Sequence, residues 1–248
     1  MKIKILIIVF FSTLILKLYS KEIEDDNSYI IISLAQDPSF GFYPFINGGF
    51  QIAENKFFTY YGIFWTQDAL AGNQGGIGLL TEFGIGLNFS FLEGNLNINP
   101  SFGLGNGKFQ SGGARYVIGD NIVPAIYFNI ITGQINLTIG FIYWKGLRRE
   151  ELIDKYRDQI QYFYNLWYQI SRNIDIGLYY DHFLLKEEDK YVNSTNTIYH
   201  WIGPSIKFKT KSIAELWFAC GFDLYEYTNG LENPSVKDFY KLVFSLKF

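Results

Sequence analysis

The sequence predicts an all-β fold, a closed up-and-down antiparallel transmembrane β-barrel of about 12 strands. Three observations favour this fold. Apolar residues recur at every second position over most of the chain, the alternating segments are long, and the connections between them alternate in length. Many segments approach ten residues, roughly the length of a tilted membrane-spanning strand, whereas strands of soluble proteins are usually about 5–6 residues long. Short periplasmic turns and long extracellular loops are typical of outer-membrane barrels.

The first twenty residues have the organisation of a secretory signal peptide. Lys2 and Lys4 precede an apolar run, and a short polar segment follows it and ends at Ser20. This order of charged, apolar and polar regions is typical of signal peptides. We therefore expect residues 1–20 to be a signal peptide and residues 21–248 to form the barrel domain, with a retained N-terminal anchor as the alternative.

The charge and cysteine content exclude two classes of protein. Removing the signal peptide takes away three of the 21 basic residues, which leaves 18 basic against 24 acidic residues. This balance lacks the basic surface of nucleic-acid-binding proteins, so no nucleic-acid partner is expected. Cys220 is the only cysteine, so an exported domain of this size has no disulfide framework. Its stability must come from packing, hydrogen bonds or the membrane.

Successive segments repeat the same two-faced pattern along the chain. In residues 81–90 apolar side chains share one face, and Glu82 and Asn88 share the other with glycine and serine. Residues 95–104 repeat this pattern with asparagine and serine on the polar face. Such a period of two is the signature of a strand between two different environments. The predicted strands are 28–36, 44–54, 56–66, 77–92, 95–105, 121–132, 134–145, 160–170, 173–185, 197–209, 212–225 and 238–248.

Short turns and longer loops alternate between these strands. The short turns are 54–56, 92–95, 132–134, 171–173 and 209–212. The longer loops are 37–43, 67–76, 106–120, 146–159, 186–196 and 226–237. An even number of strands returns both termini to the side of the short turns. We expect that side to be periplasmic, because the signal peptide delivers the chain there.

The aromatic residues agree with a barrel in a membrane. Many lie toward strand ends, where amphipathic rings occupy the membrane–water interface. They include Tyr60, Tyr61, Trp65, Tyr143, Trp144, Tyr162, Tyr164, Tyr179, Tyr180, Tyr199 and Trp201. A soluble β-sandwich or a lipocalin-like barrel is the alternative. It would use some of these rings in its core, but it would not need long apolar faces on nearly every strand.

The C-terminal segment "DFYKLVFSLKF" carries a more specific resemblance. Its alternating set is Tyr240, Leu242, Phe244, Leu246 and Phe248. This ending resembles the C-terminal signature of bacterial outer-membrane β-barrel proteins, and the resemblance implies recognition by the barrel-assembly machinery. Within residues 41–129, the segments "GFYPFINGGF", "YYGIFWT", "EFGIGLNF", "NPSFGLGNGKFQSGG" and "IVPAIYFN" are similar to an uncharacterised family of small Gram-negative outer-membrane barrels. That similarity implies fold and location, but no activity.

The polar faces of the strands form the predicted lumen. The predicted pore-lining residues are Glu82, Asn88, Asn97, Asn99, Ser101, Asp175, Asp181, Lys207, Glu215, Asp223 and Lys241. One hypothesis is a narrow porin-like channel for small polar solutes, with a mild preference for cations or neutral solutes because carboxylates outnumber lysines. The other is a structural or surface-interaction barrel whose polar side chains pack into a closed lumen. Both hypotheses imply outer-membrane lipids and lipopolysaccharide as partners.

Two histidines raise a third hypothesis, a lipid-modifying enzyme of the outer membrane. His182 and His200 flank the 186–196 loop almost symmetrically, so a regular hairpin would place them side by side on the lipid-facing phase. Neither histidine has a serine two positions along on the same face, and Asp181 falls on the opposite face. We therefore favour histidines of the aromatic girdle over a catalytic pair. No residue spacing matches a dedicated metal site or a phosphate-binding loop, so no metal and no cofactor are expected.

Overall fold

The computed structural model describes residues 28–66, 79–110, 117–147, 156–188, 193–210, 213–224 and 238–248. The strands are β1 (Ser28–Asp37), β2 (Gly41–Ala53), β3 (Lys56–Thr66), β4 (Leu79–Phe91), β5 (Leu96–Gln110), β6 (Val117–Ile118), β7 (Asn121–Thr132), β8 (Ile135–Gly146), β9 (Tyr156–Ser171), β10 (Ile174–Glu188), β11 (Asn193–Thr210), β12 (Ala214–Asp223) and β13 (Asp238–Lys247). A single 3₁₀ turn is described, at Leu92–Gly94. Across these ranges, no helix has the length and apolar character needed to span a membrane. The predicted signal peptide, residues 1–20, lies outside the described residues.

Twelve of the strands close into one antiparallel ring. Each strand pairs with its neighbours in sequence, β5 pairs directly with β7, and β1 pairs with β13. The C-terminal residue completes this last seam, because Phe248 and Ile30 exchange two backbone hydrogen bonds of 2.8 and 3.0 Å. The two-residue strand β6 pairs only with the end of β5. The predicted 12-strand up-and-down barrel is confirmed, with β6 as an addition, and closure leaves its strands without free edges.

The strand boundaries differ from the predictions mainly at the long-loop end, the rim opposite the short turns and the termini. The predicted loop 37–43 is only a three-residue turn, since β1 and β2 stay paired up to Asp37 and Gly41. Strands β5, β9, β10 and β11 also extend beyond their predicted ends at this rim. Backbone pairing continues there after the apolar alternation has ended, because ladder hydrogen bonds do not require apolar side chains.

The two faces of the barrel differ sharply in exposure. On β4, Phe83 and Ile85 are 54% and 55% exposed on the outside of the isolated barrel, whereas the neighbouring Glu82 is 2% exposed. The last strand follows the same rule, with Tyr240 and Leu242 on the outer face. So wide an apolar outer surface is unfavourable in water and matches the lipid-facing band of an outer-membrane barrel.

The buried apolar cluster lies inside the barrel toward the long-loop end. It combines side chains from most of the ring with Phe40, which the β1–β2 turn directs inward. We call its ring-bearing part at this end the aromatic layer. Its members are Phe40, Tyr43, Trp65, Trp144, Phe183, Tyr199, Trp201 and Phe239. This layer fills the lumen toward the long-loop end.

Candidate functional site

The aromatic layer crosses the lumen through ring-to-ring contacts. The Phe40 ring lies 5.6 Å from Phe183, 6.3 Å from Tyr199 and 6.4 Å from Trp65, measured between ring centroids. The Tyr199 ring stacks on Trp201 at 3.9 Å. Phe40, Phe183 and Tyr199 are 7%, 0% and 2% exposed, so solvent barely reaches the layer from either side. Phe40 is its central ring.

The β1–β2 turn holds Phe40 in this inward position through one buried carboxylate. Asp37 accepts hydrogen bonds from the backbone N–H groups of Ser39 at 3.0 Å and Phe40 at 2.7 Å. The Tyr43 hydroxyl donates a third hydrogen bond, to Asp37 Oδ2, at 2.9 Å. An aspartate that bonds the backbone two and three residues ahead fixes a tight turn. Lys241 Nζ lies 3.8 Å from the same carboxylate oxygen and compensates its charge.

A second buried carboxylate, Asp181, lies on β10, four strands from β1 in the ring. Asp181 accepts hydrogen bonds from Gln161 Nε2 at 2.9 Å and from the Tyr179 hydroxyl at 2.5 Å, and a longer one from Tyr199 at 3.3 Å. Lys241 Nζ donates to the Tyr179 hydroxyl at 3.2 Å. Lys241 therefore connects the Asp37 turn with the Asp181 network, and both carboxylates have the partners that burial requires.

Below the aromatic layer, part of the lumen is hollow. A cavity of about 630 Å³ extends from Phe40 and Trp144 down to the short-turn rim, which it reaches at Lys209, Ile213 and Lys247. Its walls are largely aromatic and aliphatic, with a few polar groups between them. This is the size and lining expected of a small-molecule site.

The predicted pore-lining residues divide into two groups. Asp181, Glu215 and Lys241 line the cavity. The others belong to the inward phase of their strands but lie outside its lining. Glu82 is the clearest example, because its carboxylate accepts hydrogen bonds from the Tyr61 hydroxyl and from Trp144 Nε1, both at 2.8 Å. Glu82 thus cross-links β3, β4 and β8 inside a filled part of the barrel.

The asparagines of the predicted set lie on β4 and β5, also outside the cavity lining. Asn97 Nδ2 donates to the Gly94 carbonyl at 3.0 Å, and Asn99 Nδ2 donates to Thr59 Oγ1 at 3.2 Å. Ser101 Oγ is buried and has no hydrogen-bond partner among the described residues. Asn88 is half-buried opposite Phe57.

The Tyr61 ring fills this side of the lumen because two glycines make room for it. A Cβ atom at Gly84 would lie 2.2 Å from Tyr61 Cε1, and one at Gly103 would lie 2.2 Å from the Tyr61 hydroxyl oxygen. Any side chain at either position would displace the ring and its hydrogen bond to Glu82. On the polar phase of β4 and β5, Gly84 and Gly103 therefore make room for the Tyr61 ring and do not widen a solute path.

The remaining charged residues of the predicted set are paired. Lys207 Nζ lies 3.3 Å from Glu215 Oε1. Lys209 Nζ lies 2.7 Å from Asp175 Oδ1. Asp223 accepts hydrogen bonds from the His200 backbone N–H at 2.9 Å and from Trp201 Nε1 at 3.2 Å. The carboxylates of the predicted set are thus engaged with neighbouring donors.

Sequence reasoning missed the aromatic side of the lumen. Trp217 and Tyr179 line the cavity, and their rings lie 5.4 Å apart. The sequence spacing does indicate that these two rings face inward. Trp217 follows Glu215 by two positions and Tyr179 precedes Asp181 by two, so each ring shares a strand face with a residue predicted to face inward. Phe40 had no such signal, since it lies in a turn.

The two histidines face outward and lie side by side. His182 pairs with His200 across β10 and β11, and their rings stack at 4.4 Å. His182 Nδ1 contacts the Tyr162 hydroxyl, and its Nε2 lies 3.1 Å from Thr197 Oγ1. The Tyr180 hydroxyl lies 2.8 Å from His200 Nε2. A bulge after Phe183 brings Thr197 onto this face, which the sequence pattern did not predict.

No group of three or more His, Cys, Asp or Glu side chains in the described ranges is arranged to hold a metal ion. The outward cluster of Tyr, His and Thr side chains is typical of the polar tips of an interfacial girdle. The lumen, with its aromatic layer and its cavity, is therefore the candidate functional site.

The barrel is similar in fold to solved outer-membrane channels. The COG4313 outer membrane channel from Pseudomonas putida F1 matches with a TM-score of 0.57 and 12% identity, over 90% of this chain and 95% of that chain. The NanC porin matches with a TM-score of 0.52 and 9% identity, over 88% of this chain and 100% of that chain. No curated protein matches the sequence. The model of a family of unknown function, DUF6733, matches residues 1–248, and the chain belongs to that family.

Proposed function

We propose that this protein is an outer-membrane, porin-like channel for small solutes, narrow along its length and closed by the aromatic layer in the state described here. The observation that carries the proposal is a closed ring of twelve strands around a cavity of about 630 Å³ that reaches one rim. A solute would pass Lys209 and Glu215 at that rim and reach Lys241 and Asp181 below the aromatic layer.

The proposed orientation places the short turns and both termini in the periplasm. It follows from the expected signal peptide at residues 1–20 and from the usual asymmetry of outer-membrane barrels. The apolar outer face would contact outer-membrane lipids, and the long loops would meet lipopolysaccharide. The alternating set that ends at Phe248 would be the segment that the barrel-assembly machinery recognises.

In this proposal, conduction requires the β1–β2 turn to leave the lumen. That turn is short and carries Phe40, the central ring of the aromatic layer. Its anchors are the hydrogen bonds to Asp37 and the Lys241 contact. Displacing one turn moves far less of the protein than separating strands of the closed ring would.

Liposome swelling tests the channel function directly. Purified protein is reconstituted in liposomes, and swelling is followed in isosmotic solutions of neutral solutes of increasing size. We expect slow swelling with the wild type and faster swelling with Phe40→Ala, both declining as the solute becomes larger. Phe42→Ala, which changes a nearby phenylalanine on the phase of β2 opposite to Tyr43 and Phe45, should behave as the wild type. If the Phe40→Ala protein is folded and inserted but its liposomes do not swell, the channel function is refuted.

A second candidate function is a closed barrel with a structural or surface-interaction role. The observation that favours it is the aromatic layer itself, since Phe183 and Tyr199 are almost completely buried. In that case the long loops would make the functional contacts, and the lumen would stay closed. This candidate predicts that neither the wild type nor Phe40→Ala passes solute.

The histidine pair is assigned to the aromatic girdle rather than to lipid chemistry. The 3.1 Å contact of His182 with Thr197 resembles a base beside an aliphatic hydroxyl nucleophile. We expect the wild type to release no fatty acid from phospholipid or lipid A vesicles. Release by the wild type that Thr197→Ala and His182→Ala both abolish would instead establish a lipid-modifying enzyme.

A further inference from the structure

The cavity below the aromatic layer presents a mainly apolar surface to a solute. Its half-buried wall residues include Phe45, Ile63, Tyr127, Ile142 and Phe163, which come from five different strands. Each of them lies on the inward phase of its strand, so the part of the side chain that protein leaves uncovered faces the lumen. A solute in the cavity would therefore meet aromatic and aliphatic carbon on several sides.

Many polar groups of the cavity wall are bonded within the wall itself. The hydroxyls of Ser33 and Ser245 share a hydrogen bond of 2.8 Å. The Tyr43 hydroxyl, Gln161 Nε2 and the Tyr179 hydroxyl donate to the two buried carboxylates described above. A solute would have to break one of these bonds to gain any of these groups as its own partner.

Other polar atoms of the wall are out of reach of a solute. Trp217 Nε1 and Asn165 Oδ1 are covered by protein, although both residues line the cavity, and Asp181 is fully buried. The Asn47 amide and the Tyr127 hydroxyl are among the few polar groups of the described wall that remain for a solute. A sugar carries several hydroxyl groups, and each one that is buried without a partner costs free energy. The wall therefore suits a solute with few polar groups.

The charged side chains of the wall already have partners of opposite charge or lie at its edge. Lys209, Glu215 and Lys241 each lie within 3.8 Å of an oppositely charged group that is not itself part of the cavity lining. Lys247 lies at the exposed short-turn rim. An ionic solute inside the cavity would compete with existing ion pairs, so an uncharged solute is favoured.

The volume and the rings of the cavity suit a fused-ring molecule. An apolar cavity of roughly 150 Å³ is enough to bind benzene, and this cavity measures about 630 Å³. The Tyr127 ring lies 6.2 Å from the Phe163 ring, and the Trp217 ring lies 5.4 Å from the Tyr179 ring. Aromatic rings attract one another in edge-to-face and offset-stacked contacts beyond the effect of burial. An aromatic solute is therefore favoured over a saturated one of the same size.

We propose that this cavity binds an uncharged, largely apolar molecule of two or three fused aromatic rings and that it does not bind sugars. The solute enters from the short-turn rim, which the cavity reaches, and its rings pack against Tyr127, Phe163 and Trp217. The inference narrows the class of solute for the proposed channel. It rests on that function for the route by which the solute crosses the membrane, but not for binding in the cavity.

Equilibrium dialysis with radiolabelled naphthalene tests the site on the full-length protein in lipid nanodiscs. Empty nanodiscs give the uptake by lipid, and an excess of unlabelled naphthalene defines the saturable part. We expect saturable binding that empty nanodiscs lack. Decalin, the saturated counterpart, should compete about threefold more weakly at equal concentration in the lipid, because it loses the ring–ring contacts. Glucose should not compete.

Matched substitutions on β8 separate the cavity from the outer face of the barrel. Ile142→Trp adds a large ring on the cavity wall and should abolish saturable binding. Ile139→Trp places the same side chain on the outer face, beside Tyr164, and should bind as the wild type does. If Ile142→Trp does not fold, Ile63→Trp fills the cavity from β3 and should have the same effect.

Three results would overturn the proposal. They are a wild type without saturable naphthalene binding, displacement of naphthalene by glucose, and full binding by a folded cavity-filling variant. Liposome swelling without naphthalene binding would refute this inference alone. Naphthalene binding without swelling would support it and refute the channel alone.

Discussion

The carboxylate of Asp37 accepts a hydrogen bond from the backbone N–H of Phe40 at 2.7 Å, and this bond fixes the turn that places the Phe40 ring inside the barrel. The ring then contacts Phe183 on β10 and Tyr199 on β11. One acidic residue at the end of β1 therefore holds the central ring of the aromatic layer in its inward position.

The Lys241 contact should be the main electrostatic support of that turn. Lys241→Met leaves Asp37 buried without a nearby cation, and removing one partner of a buried pair typically costs about 3–5 kcal/mol. We expect a lower free energy of unfolding in denaturant titrations of the barrel refolded into lipid vesicles. In the Asp37→Asn background, Lys241→Met should lower the free energy of unfolding by less. Equal costs in both backgrounds would show that the two residues are not coupled.

Glu82 should not affect ion selectivity, although it faces the lumen. Its carboxylate is bound by Tyr61 and Trp144 and lies outside the cavity lining. In a conducting Phe40→Ala background, Glu82→Gln should leave the reversal potential in a salt gradient unchanged. Glu215→Gln, which changes a cavity-lining carboxylate, should shift it toward anion selectivity. A shift caused by Glu82→Gln would place Glu82 on the conduction path.

Gly84→Ala should destabilise the barrel by displacing Tyr61. The new Cβ would lie 2.2 Å from the Tyr61 ring, and overpacking of this kind costs about 1–3 kcal/mol. Gly119→Ala is the control, because a Cβ there meets no atom within 4 Å. The loss in the free energy of unfolding that Gly84→Ala causes should be smaller in a Tyr61→Ala background. If it does not, Tyr61 is not the source of the strain.

Phe248 should matter for assembly in cells more than for the stability of the folded barrel. Its backbone exchanges two hydrogen bonds with Ile30, which Phe248→Ala preserves and deletion of Phe248 removes. If the ring is the recognition element, Phe248→Ala should lower the amount of protein in the outer membrane while refolding of the purified chain stays normal. Normal outer-membrane levels of both variants would argue against an assembly signature.

The strands and their two faces were predictable because both depend on a local period of two. Counting alternate positions puts Glu82, Asp181 and Lys241 on the inward phase, and counting from their loop puts His182 and His200 side by side. The structure agrees with these placements. The 12-strand barrel followed from the same pattern together with the alternation of short and long connections.

The function of each inward residue was not predictable, because it depends on contacts across the lumen. Glu82 is removed from the cavity by Tyr61 and Trp144, which lie 21 and 62 positions away in sequence. The inward position of Phe40 depends on the Asp37 turn and on rings from other strands. Thr197 reaches His182 only through a bulge, and local alternation gives no signal for a bulge.

Single-channel recording in planar bilayers tests the central claim most directly. The wild type, Phe40→Ala and Phe42→Ala are inserted at equal protein levels and recorded in the same salt. The account predicts rare openings for the wild type and for Phe42→Ala, and frequent openings for Phe40→Ala. If none of the three proteins opens although insertion is verified, the result contradicts a channel. If all three open equally often, the result contradicts closure by the Phe40 ring.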